Sequence, residues 1–329
     1  MTGIVEQLRK RIREQGPLPF RDYMEEVLRF YYSSPRNPIG TDGDFYTSSD
    51  LDPIFGQLLA KQFRQWAAEF ETFTVVELGA GKGLLARDIL QHEKFRYLIL
   101  ERSPAMRERQ KDLLRDFEIE WVDELPKGIT GCIFSNEFFD ALPVHRVVRR
   151  AGSLKEIYVN EDFQEIDGPL QVAMELPIAE GAATEVCIEA HRWIHDIAVS
   201  LDRGYHLAID YGYLKDEYYS QPRGTLMCYW HHQAVEDPYL RIGEQDITAH
   251  VNFSDLMEEP GLKTTLFTTQ MDYLIRLGIL GEIEKLATAA DAASMQRLLK
   301  IKKLILPGSM GERFKVLIQA ANRGTINSG

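Results

Sequence analysis

The stretch from Phe73 to Leu90 constrains this chain most. Thr74-Val75-Val76-Glu77-Leu78 is a short apolar, β-branched run, which predicts a buried strand. Gly79-Ala80-Gly81-Lys82-Gly83 follows as a glycine-rich turn. Leu84 to Leu90 then has helical spacing, with Leu85, Ile89 and Leu90 apolar and Arg87 and Asp88 polar. Strand, glycine turn and helix in that order build a site for a nucleotide-like cofactor in an α/β sheet.

Two phosphate-binding readings weaken on this turn. The dinucleotide fingerprint needs its last glycine where Leu84 stands, and a phosphate-binding loop needs Ser or Thr after Lys82, where Gly83 stands. Glu77 decides the matter further. An anion beside a diphosphate is repulsive, whereas an anion beside an ammonium or sulfonium is favourable. S-adenosylmethionine (SAM) carries both cations and no phosphate. Its carboxylate can use backbone N–H groups at the start of the following helix. A second acid agrees: Tyr97-Leu98-Ile99-Leu100-Glu101 reads as the next strand, ending 20 residues after Gly81. That spacing suits a carboxylate that accepts from both ribose hydroxyls. Glu77, Gly79, Gly81, Gly83 and Glu101 are therefore the expected donor-binding residues.

The bulk properties exclude several classes. The chain has 329 residues, enough for a large core in one elaborated domain or two. Its 50 acids against 38 bases give a formal charge of −12 and no basic block, so nucleic acid is not an expected partner. The cysteines, Cys132, Cys187 and Cys228, form no C-x-x-C pair, which fits a reducing compartment and no zinc-thiolate site. No apolar run is long enough to span a membrane. Arg9, Lys10, Arg11 and Arg13 hint at a presequence, but Glu6 and Glu14 interrupt them and Ile4, Val5, Leu8 and Ile12 share one helical face. A packed helix is expected there, and with it a cytoplasmic bacterial protein, mitochondrial only if a presequence has been removed.

Taken in order, residues 1–30 read as two helices split by Gly16-Pro17-Leu18-Pro19, and 33–50 as a long polar loop suited to a lid. Asp52-Pro53 starts a helix that runs towards Phe70. Ile119 to Asp123 reads as a third strand, and Asp123 is a candidate acceptor for the adenine amino group or else a loop acid. Cys132 to Ser135 reads as a fourth strand, ending in Asn136-Glu137-Phe138-Phe139-Asp140. Ligands sit beyond the carboxyl ends of parallel strands. Asn136 is thus a further donor-site candidate. Glu137 and Asp140, three apart, could share one face of a helical turn, either facing a cationic substrate or capping a helix. Residues 144–182 look like hairpins, 183–201 helix, and 205–212 a fifth strand. Loop-rich sequence follows over 213–245. His250 is a candidate to orient a substrate or take a proton, or is an ordinary hydrogen-bonded histidine. Lys263 to Thr269 and Phe314 to Ala320 read as terminal strands around a helical stretch, 271–305.

The expected fold is α/β, a Rossmann-like seven-stranded methyltransferase core with a helical N-terminal extension and α+β insertions. The expected boundaries are 1–70 for the extension and lid, 71–143 and 203–322 for the core, with a helical insertion at about 280–305, and 144–202 for a substrate-side subdomain.

The chain resembles the MidA-type family of SAM-dependent methyltransferases, which includes a mitochondrial complex I assembly factor. The resemblance rests on Gly43-Asp44-Phe45-Tyr46-Thr47-Ser48, Phe55-Gly56, Glu77 to Gly83, Glu101-Arg102-Ser103-Pro104 and Ser135 to Pro143. It continues through Asp210-Tyr211-Gly212, Gly224-Thr225-Leu226 and Asp246 to Val251. Before the Gly43 loop the chain departs from the family, with Ser33-Ser34-Pro35-Arg36 after Tyr32, and Ser48-Ser49-Asp50 after Thr47 replaces the usual Ser-Pro-Glu. The resemblance implies protein arginine methylation, linked to respiratory complex I assembly, and so a protein partner carrying the arginine. Glu137, Asp140 and His250 are then the expected catalytic residues and no metal is expected. The rival expectations are methylation of a small molecule or another side chain, and a SAM-binding assembly chaperone.

Overall fold

Aliphatic and β-branched runs separated by helices dictate a parallel sheet buried on both faces. The computed structural model describes residues 2–33, 47–172, 175–289 and 291–322. Among them eight strands form the central sheet: the two-residue strand Val251–Asn252, which pairs with Gly212 and Tyr213, and seven along one path, β1 (Thr74–Leu78), β2 (Arg96–Leu100), β3 (Ile119–Val122), β4 (Ile129–Asn136), β5 (Leu201–Tyr213), β6 (Lys263–Thr269) and β7 (Phe314–Asn322). The order along that path is β6-β7-β5-β4-β1-β2-β3. Strands β1 to β5 run parallel to one another, while β7 is inserted antiparallel to both β5 and β6. This is the seven-stranded Rossmann-like core that the sequence predicts.

The chain divides into two compact units. The first, Tyr46–Phe138, Ile194–Tyr211 and Met257–Gly329, holds β1 to β7 apart from the last two residues of β5. Helix Ile54–Ala67 lays Phe55, Leu59 and Phe63 into a core with Val75, Ile89, Ile99, Phe134 and Leu207. Phe63 meets Phe134 at 5.1 Å, and Trp66 stacks on Tyr205 at 4.4 Å. The helical stretch is three helices, Gln270–Leu277, Ile279–Ala289 and Ala292–Lys303.

The other unit comprises Met1–Phe45, Phe139–Trp193 and Gly212–Leu256. Its helices Thr2–Gln15 and Phe20–Ser33 bury Leu8, Phe20, Tyr23 and Val27 with Val144, Val159, Cys228 and Ile247. A five-stranded antiparallel sheet is built on the hairpin His145–Arg150 and Ser153–Val159. No helix among the described residues is long and apolar enough to cross a membrane.

Three local readings change. The expected helix over 183–201 begins later, at Ile188, because Ala183–Val186 is a strand paired with His145–Arg150. Within 213–245, Met227–Trp230 and Gln233–Val235 form a hairpin whose two-residue turn is His231-His232, with φ of 46° and 62°. Residues 137–140 form no helical turn, since Glu137 has φ of 55°. The expected lid, including Gly43 to Tyr46, lies outside the described residues apart from Ser33 and Thr47 to Asp50.

The central strands approach closely at one point. A Cβ on Gly131 of β4 would lie 1.9 Å from the Thr74 carbonyl oxygen on β1, and one on Gly204 of β5 the same distance from the Gly131 carbonyl. Both obstacles are backbone in paired strands, so neither can move aside. Gly131→Ala is expected to lower stability by at least about 3 kcal/mol, read by urea denaturation. A loss below about 1 kcal/mol would show that the strands can part there.

Candidate functional site

The turn after β1 alternates into left-handed backbone: φ is 64° at Gly79, 53° at Gly81 and 82° at Gly83. A Cβ at Gly79 would also meet the Phe138 ring at 2.9 Å. The Gly79 N–H donates to the Leu100 carbonyl at 2.9 Å, tying the end of β1 to β2. The Gly83 carbonyl accepts from Arg87 at 3.0 Å and starts the helix α1 (Leu84–Leu90).

The two strand-end acids are both buried, and their surroundings differ. Glu77 is 3 % exposed, and its Oε2 accepts the Tyr97 hydroxyl at 2.7 Å. Burial pushes its pKa up to about 8; the Tyr97 hydrogen bond opposes that rise and the nearby Glu101 adds to it. Glu77 has no ion-pair partner among the described residues. Glu101 is raised by burial too, but against that stand the Ser103 N–H on Oε1 at 2.9 Å, the Gln110 amide on Oε2 at 3.2 Å, and the charge of Arg107.

Helix α2 (Pro104–Leu113) supplies the groups that hold these strand ends together. The buried Gln110 donates from Nε2 to the Gly81 carbonyl at 2.8 Å as well as to Glu101, and its Oε1 accepts the Trp121 N–H at 3.0 Å. Arg107 donates to the carbonyls of Glu101 and Val122 and to Asp123 Oδ1 at 2.6 Å. Asp123 is thus placed at the end of β3 with an exposed side chain paired to Arg107. Sequence reasoning missed Gln110. Its signal was position: Met106, Gln110 and Leu114 recur every four residues, and all three are buried.

Lys82, the cation in the turn, is paired with Asp50, whose carboxylate also accepts the Thr47 N–H at 3.0 Å. Lys82 is therefore committed to a carboxylate, which further weakens the phosphate readings. Glycines that keep Cβ atoms off the turn, a buried carboxylate with no ion-pair partner and a second one set in hydrogen-bond donors fit a cationic, phosphate-free cofactor.

At the end of β4, Asn136 donates from Nδ2 to Glu137 Oε1 at 2.8 Å, and its own Oδ1 is buried with no partner among the described residues. The same Glu137 oxygen accepts the Ser48 N–H at 3.3 Å. The left-handed backbone at Glu137 is held by its own N–H, which donates to Ile209 at 2.9 Å, and by the Phe138 N–H, which donates to Asp210 at 3.2 Å. Asp140 and His250 belong to the other unit. There the buried Asp140 accepts the Ala249 N–H at its carbonyl at 3.0 Å, and His250 stacks on Tyr213 at 5.2 Å.

Residues 54–267 match the profile of a family of S-adenosyl-L-methionine-dependent methyltransferases. A superfamily member from Burkholderia thailandensis, crystallised with S-adenosyl-homocysteine, has a similar structure: TM-score 0.89, 31 % identity, covering 98 % of this chain and 92 % of that one. The mitochondrial protein arginine methyltransferase NDUFAF7 of Homo sapiens is 28 % identical over 95 % of this chain and 82 % of its own. Its Danio rerio counterpart is 27 % identical over 95 % and 86 %.

Glu77 has a consequence for stability. Its folded pKa lies above its ordinary value, so from pH 4.5 to about 8 the folded chain keeps a proton that the unfolded chain has released. Stability without cofactor should fall by a few kcal/mol as pH rises through that window, then level off. Glu77→Gln, which keeps an oxygen for Tyr97, should flatten this slope in urea denaturation. An identical slope in both proteins would remove Glu77 as its source.

Proposed function

The chain belongs to the family of S-adenosyl-L-methionine-dependent methyltransferases, and from that premise we propose that it methylates an arginine side chain of a partner protein. SAM, when bound, supplies an electrophilic methyl group on a sulfonium. In this reading Glu77 faces the positive charge of the donor, Glu101 accepts from its ribose, and the glycines at 79, 81 and 83 let backbone come close. Asn136 and Asp123 complete the donor residues, with Asp123 at the adenine.

One observation carries the acceptor side. Glu137 sits at the carboxyl end of a central strand with left-handed backbone, and one of its oxygens takes two N–H donors, from Asn136 and Ser48. Such donors favour the ionised carboxylate. A protonated guanidinium presents paired N–H groups that a carboxylate accepts in a fork. Glu137 would hold it so and concentrate its charge on one nitrogen; Asp140 and His250 are proposed as further acceptor-side residues on the resemblance of their sequence stretches alone, with His250 as proton acceptor. The names of the NDUFAF7 relatives support arginine as the acceptor. All three cysteines are free, which supports a reducing compartment, and we assign the protein to the cytoplasm of a bacterium.

The test is purified protein with labelled SAM and a lysate from cells lacking it, with labelled proteins identified by mass spectrometry. One labelled arginine in a respiratory subunit is the expected result. Label confined to small molecules would replace the arginine reading with a small-molecule methyltransferase. Donor binding without any transfer would favour an assembly chaperone. Glu137→Gln should cut transfer at least about 100-fold with donor affinity unchanged, and Glu101→Ala should weaken donor binding about 10-fold. Unchanged donor binding in Glu101→Ala would cancel the ribose assignment.

A further inference from the structure

Glu185 is a buried acid to which the donor and acceptor chemistry gives no task. It lies on the strand Ala183–Val186, only 1 % exposed, in the same unit as His250. Its Oε2 accepts both the N–H of Thr225 at 2.6 Å and the Thr225 hydroxyl at 3.0 Å. Its other oxygen lies 3.6 Å from Arg146 Nε. Gly224 brings the Thr225 backbone this close. It has φ of 75°, and a Cβ there would lie 2.3 Å from Glu185 Oε1. Burial raises the Glu185 pKa; the Arg146 charge and the two Thr225 hydrogen bonds oppose that rise.

Thr225 passes this anchoring to His250 through two different atoms. Its hydroxyl oxygen, which donates to Glu185, accepts the His250 backbone N–H at 3.1 Å. Its carbonyl oxygen lies 3.0 Å from His250 Nδ1. A carbonyl can only accept, so Nδ1 must carry the proton. The neutral ring then has its lone pair on Nε2. The ring plane is fixed as well, by Tyr213 stacked at 27° between planes. A histidine side chain in water favours the Nε2–H tautomer, so this arrangement has to be imposed by the surroundings.

We propose that Glu185 is a positioning residue: through Thr225 it holds His250 in the Nδ1–H tautomer, and Nε2 is thereby made the atom that receives a proton. The role of His250 as proton acceptor rests on the arginine-transfer reading; the tautomer and its dependence on Glu185 do not. A buried carboxylate tethered by two hydrogen bonds from Thr225, with Arg146 beside it, is a stiffer anchor than a surface turn would be. Proton transfer to Nε2 leaves an imidazolium whose Nδ1–H bond to Thr225 is retained, so the ring need not turn during the step.

The experiment reads ring nitrogens in ¹⁵N-labelled protein by long-range proton–nitrogen correlation, at a pH where His250 is neutral. His250→Asn identifies the signals. The wild type is expected to show the Nδ1–H pattern alone. Glu185→Leu, which removes the acceptor at similar volume, should bring in the Nε2–H form as the major species. Glu185→Gln keeps a carbonyl oxygen for Thr225 and should retain the wild-type pattern. Should Glu185→Leu fail to fold, Thr225→Val removes the shared hydroxyl and should give the same loss, with Thr225→Ser restoring it. A wild-type His250 in the Nε2–H form overturns the proposal. So does a folded Glu185→Leu or Thr225→Val protein that keeps the Nδ1–H form. No donor, acceptor or turnover enters the measurement. Absence of arginine transfer with the tautomer pattern intact would therefore count against the arginine reading alone.

Discussion

Left-handed backbone at three alternate residues, 79, 81 and 83, is the constraint from which the donor side of this protein follows. A residue with a Cβ meets its own carbonyl in that conformation at a cost of roughly 1–2 kcal/mol, so three in five positions are tolerable only as glycine. The alternation turns the chain sharply out of β1 and into α1. It leaves the Gly79 N–H aimed at the Leu100 carbonyl, which fixes how far β1 extends relative to β2. Glu77 and Glu101 fall on neighbouring strand ends for that reason. The Gly81 carbonyl is turned to where Gln110 can reach it, so the turn, the second strand end and Trp121 share one side chain.

Buried carboxylates are costly unless their oxygens are met. This chain meets them in distinct ways. Glu101 is surrounded by N–H donors and so accommodates a charge. Burial raises the Glu77 pKa and the neighbouring Glu101 adds to that rise, while a single tyrosine hydroxyl opposes it, which leaves Glu77 best suited to a cation. In the other unit, Glu156 accepts His145 Nδ1 and the Gln171 N–H, both at 2.6 Å, and Glu185 accepts Thr225. Burial raises the pKa of Glu77, Glu101 and Glu185 alike, and their donors oppose that rise to different extents. Glu77 and Glu185, both nearly inaccessible, have different partners.

The core was legible because strands buried on both faces need unbroken apolar runs, and those runs stand out between helices with a periodic stripe. β1, β2, β4 and β7 were found within a few residues of their observed bounds. What escaped had no such run. Ala183–Val186 contains Thr184 and Glu185, which look like a helix start until the partners that satisfy them are seen. The hairpin 227–235 turns on His231-His232, where Asn-Gly would have announced a two-residue turn. Gln110 was not singled out because its three partners, Gly81, Glu101 and Trp121, are far apart in sequence. The helical turn expected at 137–140 failed for a related reason: acids three apart suit a helix, but the Glu137 N–H goes to β5.

That last failure bears on chemistry. A left-handed conformation at a non-glycine residue costs about 1 kcal/mol or more and persists only where neighbours over-determine it. At Glu137 they do: the Ile209 carbonyl and the Asp210 carboxylate take successive N–H groups, while Asn136 and Ser48 take one carboxylate oxygen. A helical Glu137 would have spent its N–H within a turn and left its side chain to rotate. The strained form instead uses the ends of two central strands and the Ser48 backbone to set a carboxylate in one place. Strain at this acid, beside glycines that clear space and an asparagine oxygen with no partner among the described residues, suits the charged acceptor proposed above.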